Sequence, residues 1–332
     1  MKQILIALLI FLIASPFLTQ AQRWKKTRYE FTFGMGPTEF MGDLGGGTQN
    51  AAHFFGIRDM DITSTRFVAQ AGFRYKIFEP LAIHANLSWA QVSGNDAYSG
   101  DVGRKSRNLS FKSPIFETSF QFEYSLIGEP TGTTYARQRF KGLRRYGVNV
   151  YLFAGIGGFY YNPKGLGPDG QWHELRPLRT EGEGIPDTTG RYHTAPVYSS
   201  WAFCIPIGIG FKYFINKQWG IQMEIGNRYT STDYIDDTSG NYVDPKFLRD
   251  YFNKYGTSQQ AELAVYFSDR HLVEDPVGSG NWRMHNSTET YPQGPNHDMP
   301  PRGSPNYKDS YIFMIFSAVY RLKTTRTGLP KF

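Results

Sequence analysis

The stretch Trp201-Ala202-Phe203-Cys204-Ile205-Pro206-Ile207-Gly208-Ile209-Gly210-Phe211-Lys212-Tyr213 decides the fold. Every second residue is large and apolar, and those between are small or, at Lys212, charged. A period of two is the signature of a β-strand with one apolar face. Trp201 to Tyr213 is 12 steps, roughly 40 Å along a strand, or about 30 Å when the strand tilts by about 40°. A tight turn at Asn216-Lys217 follows. Trp219, Ile221, Met223 and Ile225 then face away from Gly220, Gln222, Glu224 and Arg228.

The same alternation recurs outward from this pair. Phe67, Ala69, Ala71, Phe73, Tyr75 and Ile77 alternate with Val68, Gln70, Gly72, Arg74 and Lys76. After Glu79-Pro80, Leu81, Ile83, Ala85, Leu87 and Trp89 alternate with Ala82, His84, Asn86, Ser88 and Ala90. Phe116, Phe120, Phe122, Tyr124 and Leu126 oppose Glu117, Ser119, Gln121, Glu123 and Ser125. Arg28 to Met35 and Tyr311 to Leu322 are weaker strands. Gly147 to Tyr161 is apolar on both faces, so its facing is open. Eight strands are expected, an even number that puts both ends of the sheet's chain on one side.

A soluble sandwich and an inside-out barrel both fit such alternation. Three features favour the barrel. The polar face is rich in small residues, which suit a narrow lumen. Its charges, Arg74, Lys76, Lys212 and Arg228 against Glu117, Glu123 and Glu224, can neutralise one another. Aromatic residues bracket the apolar stretches, as in the two girdles of a membrane barrel. The expectation is an all-β protein: an eight-stranded antiparallel up-and-down transmembrane β-barrel, with long outer loops and a short helix in the last loop.

Composition agrees. Of 332 residues, 35 are Gly, 22 Tyr and 26 Phe, and the mean hydropathy is −0.44. These values exclude a helical membrane protein and disfavour disorder. The net charge of +7 is modest and dispersed, which argues against nucleic acid as a partner. The single cysteine, Cys204, excludes an intrachain disulfide.

Residues 1–21 read as a signal peptide: Lys2, an apolar run from Ile4 to Ala14, and Thr19-Gln20-Ala21 before the cut. The barrel is then expected over 22–322, with a periplasmic tail over 323–332. Connections at 37–65, 94–113, 162–197 and 232–309 are long. Those on the other side are Glu79-Pro80, 128–145 and Asn216-Lys217. Outer-membrane barrels carry long loops outside and short turns in the periplasm. That gives an outer-membrane address, membrane lipid as the first partner, and periplasmic termini. In the last loop, Phe247, Leu248, Tyr251 and Tyr255 suggest a helix within 244–267, though Ala261 to Phe267 also reads as a strand extension.

Chemistry is sparse. The seven histidines show no metal-ligand spacing, and there is no GxSxG elbow. No enzyme activity and no cofactor is expected. Gly155-Ile156-Gly157-Gly158 sits in a strand, so it reads as a wall glycine set and not as a phosphate loop. Asp233, Asp236, Asp237 and Asp244 are a solvated acidic loop or a calcium-binding one. The 128–145 turn carries Arg137, Arg139, Lys141, Arg144 and Arg145 against Glu129. It suits an acidic partner, lipid headgroups or plain solvent.

Several phrases resemble the PorG family of outer-membrane barrels. They are Met41-Gly42-Asp43-Leu44-Gly45, Arg107-Asn108-Leu109-Ser110-Phe111 and Gly157-Gly158-Phe159-Tyr160-Tyr161-Asn162-Pro163-Lys164. Trp172 follows, then Leu175-Arg176-Pro177-Leu178-Arg179-Thr180-Glu181-Gly182-Glu183-Gly184, and finally Thr232-Asp233-Tyr234-Ile235-Asp236-Asp237-Thr238-Ser239-Gly240-Asn241-Tyr242. The similarity runs from about Tyr29 to about Leu322. It implies a small barrel associated with type IX secretion and gliding machinery, in contact with the periplasmic ring proteins of that apparatus. The expected function is accordingly a non-enzymatic component that anchors periplasmic machinery. The alternative is a surface-adhesion or ligand-binding barrel that acts through its outer loops.

Overall fold

The computed structural model describes residues 27–44, 62–99, 102–129, 147–187, 194–274, 282–284 and 301–324. The expected leader, the basic residues Arg137, Arg139, Lys141, Arg144 and Arg145, and the tail beyond 324 lie outside the described residues.

Eight long strands make one closed sheet. They are β1 (Tyr29–Met41), β2 (Arg66–Lys76), β3 (Leu81–Asn95), β4 (Ser110–Ile127), β5 (Val148–Tyr161), β6 (Trp201–Phe214), β7 (Trp219–Thr230) and β8 (Ser310–Arg321). Each pairs antiparallel with its sequence neighbour. β1 pairs with β8 from Glu30 opposite Arg321 to Met41 opposite Ser310, which closes the ring and leaves no barrel edge unpaired. The all-β, eight-stranded antiparallel barrel read from the alternation is the architecture observed. No described helix is long and apolar enough to cross a membrane.

Turn chemistry fixes one end. Asn216 Oδ1 accepts from the Gln218 and Trp219 amides at 2.9 and 2.8 Å, turning the chain between β6 and β7. At Glu79-Pro80, Phe78 and Leu81 exchange backbone bonds of 3.1 and 3.3 Å. The β4–β5 connection leaves from this same end, while the β1–β2, β3–β4, β5–β6 and β7–β8 connections emerge at the opposite one.

The barrel is inside out. Phe203 is 77% exposed, Ile207 47% and Phe211 37%, while Glu117 and Arg228 are each 2% exposed. A large apolar side chain left in water forgoes roughly 1.5–3 kcal/mol relative to burial. A wall of them is stable only against lipid, so the fold is that of a transmembrane β-barrel. Aromatic rings gather toward each end of the wall. Tyr160 meets Trp201 at 5.5 Å toward the loop end, and Trp219 meets Tyr320 at 4.8 Å toward the turn end.

Strand β5 resolves the facing left open by its sequence. Tyr151, Phe153, Phe159 and Tyr161 point inward and are buried, while Leu152 and Ile156 face out. Opposing glycines make room for them. A Cβ on Gly210 would stand 2.2 Å from the Tyr151 ring, and one on Gly226 would stand 2.6 Å from Phe153. The lumen has two storeys as a result. Its turn-end half is charged. Its loop-end half is packed with Val68, Ile115, Phe159, Tyr311, Phe313 and Ile315. β8 therefore carries apolar residues on both faces.

The last loop folds as two helices rather than one. Labelling the short helix Val102–Arg107 as α1, they are α2 (Pro245–Tyr255) and α3 (Ser258–Ser268). Asp244 caps α2, and Thr257 with Gln260 forms a capping box on α3. Ala261 to Phe267 is thus helical, not a strand extension. Ala261, Ala264, Val265 and Phe267 bury one face of α3 against the loops. The long loop after β5 forms a small hairpin, Lys164–Leu166 with Trp172–Glu174, attached to β4 through Lys112 opposite Lys164.

Candidate functional site

The loops do not hang free over the barrel mouth. They knit into a polar cap, built largely from the phrases singled out in the sequence. Arg107, at the end of α1, forks onto Asp96 with bonds of 2.8 and 2.9 Å. It also donates to the carbonyls of Asp43 and Arg302, 2.5 and 2.8 Å away. Asp43 in turn accepts from the Ser304 amide at 2.6 Å. One guanidinium and one carboxylate thus tie together three segments far apart in sequence.

Arg302 is the second hub and is 3% exposed. It donates to Glu181 Oε1 at 3.0 Å, to the Phe267 carbonyl at 3.3 Å, and to the Asp237 carbonyl. Glu181 also accepts from the Ser239 and Gly240 amides at 3.0 and 2.8 Å. Asp237 accepts from Thr180 Oγ1 at 2.6 Å and from the Tyr198 hydroxyl at 2.5 Å. Between Glu181 and Glu183 the chain passes through Gly182 at φ +73°, a left-handed turn that suits glycine. Tyr234 stacks on Tyr198 at 4.5 Å, and Tyr198 lies parallel to Tyr161 at 6.3 Å, so the cap rests on the aromatic upper lumen.

The four acids read from the sequence as one loop do separate jobs. Asp244 caps a helix and Asp237 lies beside Arg302, 3.9 Å from its guanidinium. Asp236 accepts from the Leu44 and Thr238 amides, each at 3.1 Å, and Asp233 accepts from the Ser239 hydroxyl at 2.7 Å. Asp309 joins them by accepting from the Ile235 amide at 2.9 Å. Burial pushes the Asp233 carboxyl up to about 7, with Asp43's charge adding to it. Burial and the charges of Asp309 and Asp43 hold Asp236 well above the usual carboxylate range. Asp237 is pushed up to about 6 by burial, against the pull of Arg302. Arg302 itself is held more firmly protonated: burial works against its charge, and Glu181 and Asp237 outweigh that.

The remaining motif residues sit at the rim. Gly42 lies close against Phe40 and Asp309. Asn162 donates to Glu174 at 2.8 Å, Glu174 pairs with Lys164 at 3.2 Å, and Pro163's carbonyl accepts from Leu175 at 2.9 Å.

Inside the barrel, Arg74, Lys76, Glu117, Glu123, Lys212, Glu224 and Arg228 all project into the lumen and are buried. Arg74 is fully buried and bonds Glu30 at 3.1 Å and Glu123 at 2.7 Å, with Glu224 at 3.6 Å. Glu129, at the start of the basic turn, reaches in to Lys76, Lys212 and Arg321 at 2.7, 2.8 and 2.6 Å. In this lower storey Glu30, Glu123, Glu129 and Glu224 meet Arg74, Lys76, Lys212 and Arg321, four against four. Above it, Arg228 and Glu117 pair at 3.5 Å. Sequence reading missed Glu30 and Arg321 as lumen charges because each lies at the end of a weakly patterned strand. Their placement at alternate positions with Thr32 and Val319 was the available signal.

His84, Glu123 and Glu224 are the one described group whose ligand atoms lie close enough to share a metal ion. Arg74 already stands among them, with Nη2 at 3.4 Å from His84 Nδ1. The guanidinium supplies positive charge beside these two carboxylates.

No family model matches the chain, and no curated protein matches it. Solved structures show similarity to the chain at low identity. Ail, the attachment invasion locus protein of Yersinia pestis, solved with the heparin analogue sucrose octasulfate, is 7% identical with a TM-score of 0.34; the alignment covers 89% of this chain and 99% of that one. The N-terminal β-barrel domain of Pseudomonas aeruginosa OprF is 10% identical, with a TM-score of 0.28 over 61% of this chain and 86% of that one. A deletion mutant of TodX, a monoaromatic hydrocarbon channel, is 11% identical with a TM-score of 0.23 over 63% of this chain and 49% of that one.

Proposed function

We propose that this chain is a non-catalytic outer-membrane barrel that acts at the cell surface through its loop cap, as an adhesion or ligand-binding protein. One observation carries the reading: the lumen is filled by paired charges and aromatic rings, and the loop mass above it is organised by a half-buried hub at Arg107 and a buried one at Arg302. A barrel filled in this way is not an open pore, whereas a cross-tied cap presents a fixed surface to whatever lies outside. Long loops belong on the outer side of such barrels, which puts the cap outside and the turn end in the periplasm. The buried carboxylates of the cap are held by backbone amides and hydroxyls, an arrangement suited to structure and not to acid–base turnover.

A second reading follows from the resemblance noted above: an accessory of a type IX secretion or gliding system. Its support is Glu129, whose three ion pairs fix the start of the basic 128–145 turn against the turn end of the lumen. The composition of that turn, with Arg137, Arg139, Lys141, Arg144 and Arg145, suits acidic ring proteins in the periplasm.

A strain lacking the protein separates the two. Lost surface attachment with normal secretion is expected for the first reading. Lost secretion with attachment intact overturns it in favour of the second.

A further inference from the structure

Just above the outward aromatic wall, β4 and the small hairpin place two cations and a tryptophan side by side. Lys112 faces outward from β4, four residues from Phe116 of the wall. That is roughly 13 Å along the strand, or about 10 Å along the barrel axis at a tilt of about 40°. Headgroups occupy this zone, since a hydrocarbon core of about 30 Å sits in a bilayer of about 40–45 Å. Lys164 lies opposite Lys112 in register. The Lys112 ammonium is 3.7 Å from the centre of the Trp172 ring, which is 42% exposed.

The hairpin is oriented by its inner face. A Cβ on Gly165 would stand 2.5 Å from Phe267, and His173 packs on that ring at 6.1 Å, so Leu166 and Trp172 are left exposed. Among the described residues Lys112 has no carboxylate partner. It also feels the like charges of Lys164 and Arg66. Lys164 has only Glu174, half exposed and shared with Asn162. The rim therefore carries concentrated positive charge beside an amphipathic ring, continuous with the lipid-facing wall. Tryptophan and snorkelling lysine are the side chains that suit a membrane interface.

We propose that Lys112, Lys164 and Trp172 form a seat for the phosphate of an anionic lipid in the leaflet beside the cap. The Asn162-Pro163-Lys164 phrase then has a task of its own: it sets the second cation of the seat. The inference rests on the wall being lipid-facing, and does not depend on what the cap binds.

The test uses the full chain folded in detergent micelles and titrated by native mass spectrometry. The probes are diphosphorylated lipid A, phosphatidylcholine and inorganic phosphate. The variants are Lys112→Gln/Lys164→Gln and, as a charge-matched control, Lys246→Gln/Lys254→Gln on α2. Lipid A is expected to bind the parent and the control equally, and to bind the rim variant about thirtyfold more weakly, on the scale of a lysine pair at an anionic membrane surface. Phosphatidylcholine is expected to bind all three alike. Equal lipid A affinity in the parent and rim variant overturns the seat, as does an equal loss in the control. Displacement of lipid A by equimolar inorganic phosphate overturns the lipid assignment. The heat-induced gel shift of the folded barrel is read on every variant. A rim variant that keeps the shift but not the lipid supports the seat, and failure of the parent to fold into vesicles refutes the lipid-facing wall independently.

Discussion

Replacing Ile207 by arginine tests the orientation on which every other statement depends. Ile207 faces outward from β6, six residues from Trp201 and six from Tyr213. At about 3.3 Å per residue and a tilt of about 40°, it lies roughly 15 Å from either aromatic limit, the middle of the apolar band. Arginine at the midplane of a barrel wall costs about 2–4 kcal/mol, falling to about 0–1 near the interfaces. Ile207→Arg is thus expected to lower the folding equilibrium constant by about 30- to 700-fold. Trp219→Arg, at the turn-end girdle, is expected to lower it by less than about fivefold. The assay is reversible urea unfolding in phospholipid vesicles, followed by tryptophan fluorescence. A soluble sandwich with the same strands gives a different answer, because an outward arginine would then meet water. Equal, small costs for the two variants would refute the inside-out assignment.

Three further outcomes follow from the buried charges. Arg74→Met removes the cation among Glu30, Glu123 and Glu224 and is expected to cost about 3–5 kcal/mol in the same assay, the penalty of breaking a buried pair; a cost under about 1 kcal/mol contradicts the plug. Arg302→Met is expected to cost about 3 kcal/mol, at the low end because Glu181 keeps two amide donors. Hydrogen exchange should quicken about 100-fold at the amides of 237–243 and 261–268, with barrel amides unchanged; equal loss in cap and barrel would show that the two are not separate units. The cap should also tighten on mild acidification. Unfolded aspartates titrate near 3.9, whereas Asp237 sits at about 6 and Asp233 at about 7, and burial holds Asp236 and Asp309 well up. Between those limits the native cap binds more protons than the unfolded one, so its stability falls as pH rises from about 4 to about 7. Slower proteolysis of the loops at pH 5.5 than at pH 7.5, with a protease corrected for its own pH response, is the expected result, and the reverse order refutes the sign.

The barrel was legible because lipid on one side and a narrow lumen on the other impose a strict period of two. β6 shows it in one glance, with Ile205, Ile207, Ile209 and Phe211 outside and Gly208 and Gly210 inside. β5 was not legible alone. Its inward Tyr151 and Phe153 look like a second lipid face until the opposing glycines Gly210 and Gly226 are seen to receive them. β8 kept its facing, with Ile312, Met314, Phe316, Ala318 and Tyr320 on the outward side, although Tyr311, Phe313 and Ile315 fill the apolar upper lumen. The cap was legible only as a set of phrases. Neither periodicity nor spacing links Asp43 to Ser304 or Glu181 to Arg302, pairs separated by 261 and 121 residues.

The plug and the cap together limit where function resides. If the lumen were a conduit, its charges would line a water column, and removing one would tune selectivity without unfolding the chain. Instead Arg74 has no exposure and touches three carboxylates, while Tyr151 spans from Arg74 to Glu224 at 3.3 and 2.6 Å. Opening that column means separating several buried ion pairs at once, a cost of the order of the whole stability of a domain. The aromatic upper storey and the Arg302 hub would have to move as well, because Tyr161, Tyr198 and Asp237 link the two levels. The barrel is thus a rigid pedestal. What the pedestal fixes in place is the cap at one end and Glu129, with its three ion pairs, at the other.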